Sequence, residues 1–302
     1  MSTAYETTRS AEGTALASSS RMISVSGAPY DGYDFPEVLE SLAACGVTHV
    51  EPAFIVGYTG AFDESAFTPE QARKYIAWLQ ESGLGCYAFS SHIDLGRDDA
   101  VDVFKGRMDF AARIGAKVIN TNAAARSNSE RFFRNIEPLV RHAEQLDLVI
   151  GLENPGDGSD NLINVAADGI ALLEKLGYAR LRLNYDAANT ISHRPPGKPG
   201  GVIPADDALA AMPYCGHVHI KDAKVTPDGY FFTPLGEGDI DCARIVRGVA
   251  ATDINLAIEL PLRLHRLPNS QPKRRDEKVP RAEIEAAVRT SLAFVERHLA
   301  EA

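Results

Sequence analysis

Eight short apolar runs alternate with eight longer amphipathic stretches along this chain, and few folds accept that rhythm. The runs fall at 22–26, 48–53, 85–91, 117–121, 147–153, 180–186, 215–221 and 254–260. Each has the length of a strand. The stretches between them carry helical spacing and helix punctuation. In 68–83, for example, Thr68 suits an N-cap, Pro69 the first helical position, Gln71 the capping box and Gly83 the stop. Alternating β and α units build parallel sheets. Eight units closed by a last helix at 281–300 favour a barrel. The rival, an open doubly wound sheet, lacks its glycine-rich turn after an early strand. We therefore expect an α/β fold, a single (β/α)8 TIM barrel over 21–302, preceded by a disordered polar tail at 1–20. The connection 261–280 is long, proline-rich and basic and reads as a cover over the barrel mouth; its segment 269–276 has no apolar pattern to bury, so a short linker there is expected to leave the fold intact.

In such a barrel the C-terminal ends of the strands meet at one mouth. Glu153 ends LVIGLE, Asp186 ends LRLNYD, His219 lies in GHVHIKD and Glu259 ends NLAIE. One strand-end carboxylate is as readily a helix cap or a salt-bridge partner. Two glutamates, an aspartate and a histidine on four consecutive strands instead form a ligand set for a divalent metal such as Mn²⁺, Co²⁺ or Mg²⁺. In GHVHIKD, residues His217, His219 and Lys221 alternate with Val218 and Ile220, so the three polar side chains share one face. With the apolar face under the helices, that face points into the barrel. It then needs a metal, water, substrate or hydrogen-bonded polar core to satisfy it.

His92 closes the third run and belongs at the same mouth, where it would orient a hydroxyl or shuttle a proton. Glu51 ends the second run, as a contact for a sugar hydroxyl or a structural ion pair. Asn184, Asn189 and His193 flank Asp186. Arg263, Arg266, Lys273, Arg274 and Arg275 lie on the long connection, either gripping an anionic group or simply solvated. On the substrate side the candidates are Glu51, Asn189, His217, Lys221 and Arg263.

A net charge of −10 argues against nucleic acid and anionic membranes as partners. There is no signal-peptide pattern and no apolar run of membrane-spanning length. The four scattered cysteines, Cys45, Cys86, Cys215 and Cys242, read as free thiols in a reducing compartment. A cytoplasmic enzyme acting on a small molecule is the expectation.

GLEN, NYDAAN, GHVHIKD and AIELP, in that order on eight β/α units, resemble the sugar phosphate isomerase/epimerase family of xylose isomerase-like barrels over about residues 22–300. The resemblance implies that Glu153, Asp186, His219 and Glu259 hold the catalytic metal, with Mn²⁺ first and Mg²⁺, Co²⁺ or Zn²⁺ also open. It implies further that Glu153 and Glu259 act as an acid/base pair on opposite faces of the substrate carbon. The ketose 3-epimerases of this family carry a further Glu, His and Arg where this chain has Ser159, Asn189 and Val225. The related endonucleases use more histidines and a basic surface, which this chain lacks.

The implied step is loss of a proton next to a carbonyl, giving a metal-stabilised enediolate. Reprotonation makes an isomerase or epimerase of a sugar or keto sugar. Loss of a β-substituent makes a lyase or dehydratase of a 3-keto sugar or 3-keto glycoside, C-glycoside cleavage included. A non-catalytic barrel binding a sugar or a partner is the third reading. A homo-oligomer or a small partner subunit stays open.

Overall fold

The computed structural model describes residues 21–56 and 59–302. The expected tail, 1–20, lies outside the described residues. Nine parallel strands form the main sheet: β1 (Ile23–Ser26), β2 (His49–Glu51), β3 (Ala53–Ile55), β4 (Ala88–His92), β5 (Val118–Asn122), β6 (Val149–Glu153), β7 (Leu181–Asp186), β8 (Cys215–Ile220) and β11 (Asn255–Ile258). β2 and β3 are two halves of the second expected strand, parted at Pro52, which has no N–H to give to a ladder. β2 pairs with β1, and β3 pairs with β4, so the sheet curls into a barrel. β1 meets β11 on the other side.

Eight helices lie between and after the strands: α1 (Phe35–Ala44), α2 (Pro69–Ser82), α3 (Ala100–Arg113), α4 (Ser129–Leu146), α5 (Ala166–Leu176), α6 (Pro204–Ala211), α7 (Cys242–Ala250) and α8 (Arg281–Ala300). Their ends follow the sequence signals. Thr68 Oγ1 accepts the Gln71 N–H at 3.3 Å to start α2. Gly83 closes α2 in the left-handed conformation, φ 69°. The apolar core packs between the outer face of the strands and the helices, with Leu39, Leu42, Phe104, Met108, Phe132, Val246 and Val288 all buried. All four cysteines are buried and free.

The inner face of the barrel is polar. Period 2 puts Ser24 and Ser26 of β1, Ser90 and His92 of β4, Asn120 and Asn122 of β5, Asn184 and Asp186 of β7, and His217 and His219 of β8 on that face. Contacts across the lumen bear this out: His219 reaches Glu51 at 2.8 Å and Asn120 reaches Glu51 at 3.2 Å. A buried polar lumen is tolerable only when its members bond one another. Close backbone approach makes room for them: a Cβ on Gly151 would stand 2.3 Å from Asn120 Oδ1.

Above the mouth lies a second sheet that the apolar pattern does not reveal. The hairpin β9 (Asp222–Thr226) and β10 (Gly229–Thr233) joins β12 (Leu264–Arg266) and β13 (Pro272–Arg274) in the antiparallel order β13-β12-β10-β9. The 261–280 connection, expected as a cover over the mouth, is partly built into this sheet. Asp222 pins its base, accepting N–H bonds from Ala223, Gly236, Gly238 and Ile240 at 2.9–3.1 Å.

Candidate metal centre and active site

Four strands and the residues just beyond them deliver ionisable groups to one point. Glu153 ends β6, Asp186 ends β7, His219 lies in β8, and Glu259 follows β11. One donor atom from each lies within 4.8 Å of the other three, and all four residues are buried. Glu153 Oε2 accepts from Asn184 Nδ2 at 2.7 Å and stands 3.2 Å from His219 Nδ1. Its Oε1 accepts from Asn189 Nδ2 at 3.2 Å. Asp186 Oδ1 caps the following turn through the Ala188 N–H at 2.9 Å. Lys221 Nζ lies 2.6 Å from Asp186 Oδ2 and 2.7 Å from Glu259 Oε2. Glu259 Oε1 is 3.8 Å from His219 Nδ1.

This donor set fits a divalent cation. It is rich in carboxylate oxygens with one imidazole, as hard-to-borderline ions prefer. With the His219 imidazole neutral, as a ligand must be, three carboxylates opposed by one ammonium leave two negative charges, the complement of a doubly charged ion.

The environment sets the charge states. Burial pushes the Glu153 carboxyl up, but His219 and His92 outweigh it and hold it at about 2. Burial also pushes Asp186 up; Lys221 opposes this, Glu259 and Glu153 reinforce it, and it settles at about 6. For Lys221, burial favours the neutral amine, yet Asp186 and Glu259 prevail and keep it charged.

A cavity of about 310 Å³ opens over this point. His92, Glu153, Asn189, Lys221 and Glu259 line it from the barrel, and Arg266 and Pro272 from the 261–280 connection. Among the described residues His92 Nε2 has no hydrogen-bond partner; it stands 3.5 Å from Glu153 Oε2. Burial drives its pKa down against the pull of Glu153 and Glu259. Gly156 makes room for Asn189, because a Cβ there would come within 2.4 Å of Asn189 Oδ1.

Three expected substrate contacts stand elsewhere. Glu51 and His217 are wholly buried deeper in the lumen and do not line the cavity. They face each other, His217 Nε2 lying 3.7 Å from Glu51 Oε2. Arg263 is turned away from the mouth. Its guanidinium donates to the Asp31 carboxylate at 3.2 Å and to the carbonyls of Asp31, Arg275 and Asp276. Arg274 holds the same carboxylate at 2.5 and 2.9 Å, so Asp31 fastens the long connection to the barrel. His193 bonds the Pro155 carbonyl at 2.7 Å.

Two groups had no distinguishing signal. Arg266 reaches the cavity, yet in sequence it is one of several basic residues on the connection. Asn154, in GLEN, clamps the end of β7, donating to the Asp186 carbonyl at 2.8 Å and accepting its N–H at 2.9 Å.

A polar-lumened β/α barrel with a buried carboxylate–histidine cluster at the C-terminal mouth defines the class of this protein. The profile of the xylose isomerase-like TIM barrels matches residues 39–292, and the chain belongs to that family. No curated protein sequence matches it. Among solved structures, it is similar to D-psicose 3-epimerase from Clostridium cellulolyticum H10, with a TM-score of 0.70, 14% identity and coverage of 92% of this chain and 99% of that one. It is similar to 3-keto-D-glucoside 4-epimerase from E. coli, with TM-score 0.66, 15% identity and coverage of 92% and 99%. The probable 3-DHS dehydratase of petrobactin synthesis from Bacillus anthracis aligns with TM-score 0.65, 15% identity and coverage of 91% and 98%.

Proposed function

We propose that this protein is a divalent-metal-dependent isomerase or epimerase of a sugar or keto sugar. The observation that carries this reading is the convergence of Glu153, Asp186, His219 and Glu259 beneath a cavity lined by His92 and Asn189. These four residues would hold the ion, Mn²⁺ before Mg²⁺, Co²⁺ or Zn²⁺. Bound there, the ion would polarise a substrate carbonyl and stabilise the charge that forms when the neighbouring carbon loses its proton.

The chain's own groups handle the proton. Glu153 would take it, a reading supported by the hydrogen bonds from Asn184 and Asn189 that hold its oxygens. Glu259, braced by Lys221, would return it. His92 would bind or relay at a substrate hydroxyl, and Arg266 supplies positive charge over the cavity.

A lyase or dehydratase acting through the same proton loss is the second reading. Ser159 and Val225, where the ketose 3-epimerases carry a Glu and an Arg, do not line the cavity. That favours a substrate other than a free ketose. Several structural neighbours are named as sugar 3-epimerases, one as a 3-keto-D-glucoside 4-epimerase and one as a probable dehydratase. The proposal covers this same range of chemistry.

Incubation with Mn²⁺ in D₂O, using 3-keto sugars, 3-keto glycosides and simple ketoses, tests it. Deuterium at one carbon of an intact sugar supports the first reading. Release of water or an aglycone supports the second. No exchange and no fragment with any of them would contradict both.

A further inference from the structure

We propose that Glu51 is a positioning residue that fixes which ring nitrogen of His219 meets the metal. The inference rests on the metal-centre reading above. It concerns a residue that lies beneath the cavity, out of reach of substrate.

The two nitrogens of His219 face different neighbours. Nδ1 looks toward the other donors, 3.2 Å from Glu153 Oε2 and 3.8 Å from Glu259 Oε1. Nε2 looks down the lumen, 2.8 Å from Glu51 Oε1. An ionised carboxylate can only accept. Each ring nitrogen thus faces a carboxylate, Nε2 facing Glu51 and Nδ1 facing Glu153; an ion among Glu153, Asp186 and Glu259 would take the place of the Nδ1 proton, and the proton that stays is the one Glu51 holds on Nε2.

Glu51 itself is held in place. Ser90 of β4 donates to the same oxygen at 2.5 Å, and Asn120 of β5 donates to it at 3.2 Å. Two other strands thus fix one carboxylate, which is wholly buried. A carboxylate behind a metal-bound imidazole sets its tautomer and orientation and raises its basicity, and loss of such a group typically weakens metal binding by about 10–100-fold. The arrangement also accounts for a buried charge that would otherwise be costly to keep, since apolar residues of like volume generally serve stability as well or better.

The test uses the full-length protein, with histidine labelled in nitrogen-15 and Zn²⁺ as a diamagnetic probe. The histidine whose nitrogen signals respond to Zn²⁺ should show metal bound at Nδ1 and a slowly exchanging proton on Nε2. In Glu51→Gln that proton signal should shift or broaden. Mn²⁺ affinity by calorimetry should fall about 10–100-fold, while the circular dichroism spectrum stays that of the wild type.

Zn²⁺ bound through Nε2 in the wild type, or an unchanged Mn²⁺ affinity in a folded Glu51→Gln, would overturn the proposal. Should Glu51→Gln fail to fold, the wild-type spectrum still decides. Failure of the wild type to bind either ion would instead remove the metal centre, and this inference with it.

Discussion

Lys221 bridges Asp186 and Glu259, and its removal separates electrostatics from packing most cleanly. Breaking a buried ion pair by deleting one partner costs about 3–5 kcal/mol. Lys221→Met should therefore lower the melting temperature of the metal-free protein. Saturating Mn²⁺ should then raise it by more than in the wild type, because the ion supplies the missing positive charge. Equal metal-induced shifts in the two proteins would contradict this. His92 makes a different prediction, since it touches the cavity but is not among the four clustered donors. His92→Ala should keep its metal by elemental analysis and lose kcat/KM by about 10²–10⁴-fold. Near wild-type turnover would make His92 structural. His219 and Asp186 together set the pH dependence: burial pushes the His219 pKa down, but Glu51 and Glu153 outweigh it and hold it well above 6.5, so its proton also competes with the ion. With its pKa raised from 3.8 to about 6, Asp186 is neutral below that pH, and a neutral carboxyl is a poor ligand. Mn²⁺ affinity, measured by calorimetry, should fall as pH drops through 6. In the metal-free protein the sign is the opposite. A raised carboxyl pKa contributes stability that is fully present below 3.8 and is lost as pH rises through 6.

Elements differ in how plainly the sequence announces them. The barrel strands were legible because each carries an apolar face for the helices, as Val218 and Ile220 do in β8. The helices were legible from their ends, as at Thr68 and Gly83. The small sheet was not. β12 and β13 have three residues each, and Pro272, Lys273 and Arg274 of β13 are all exposed, so no alternation marks them. Their order comes from pairing with β10 and from Asp31, a residue far away in sequence. Asp31→Asn weakens two guanidinium contacts at once. It should make 261–280 more open to limited proteolysis and raise KM by loosening the wall that carries Arg266 and Pro272. Wild-type proteolysis and kinetics in this variant would show that the connection holds without its anchor. Replacing 269–276 by a flexible linker should destabilise the protein, contrary to the expectation from its lack of an apolar pattern, because Ser270 is buried and Arg274 is bonded.

Across the whole molecule, strand periodicity states which side of the barrel a residue faces but not how deep it lies. Glu153, Asp186, His219 and Glu259 were legible as a group because each sits at or near a strand's C-terminal end. Glu51 also ends a strand, yet the stagger of a closed barrel and the break at Pro52 put it below the mouth, among Ser90, Asn120 and His219. Arg263 was misplaced for a related reason, since its direction depends on Asp31 rather than on its own segment. Depth and long-range anchoring are properties of the closed fold, and no local pattern encodes them. The proposed function requires one divalent-cation site built by these four residues at the end of the polar lumen. Calorimetric titration of metal-free protein with Mn²⁺ tests it most directly, alongside Glu153→Gln, Asp186→Asn, His219→Ala and Glu259→Gln. One ion per chain is expected in the wild type, with strongly reduced binding in each folded variant. Wild-type affinity and stoichiometry in all four would contradict it.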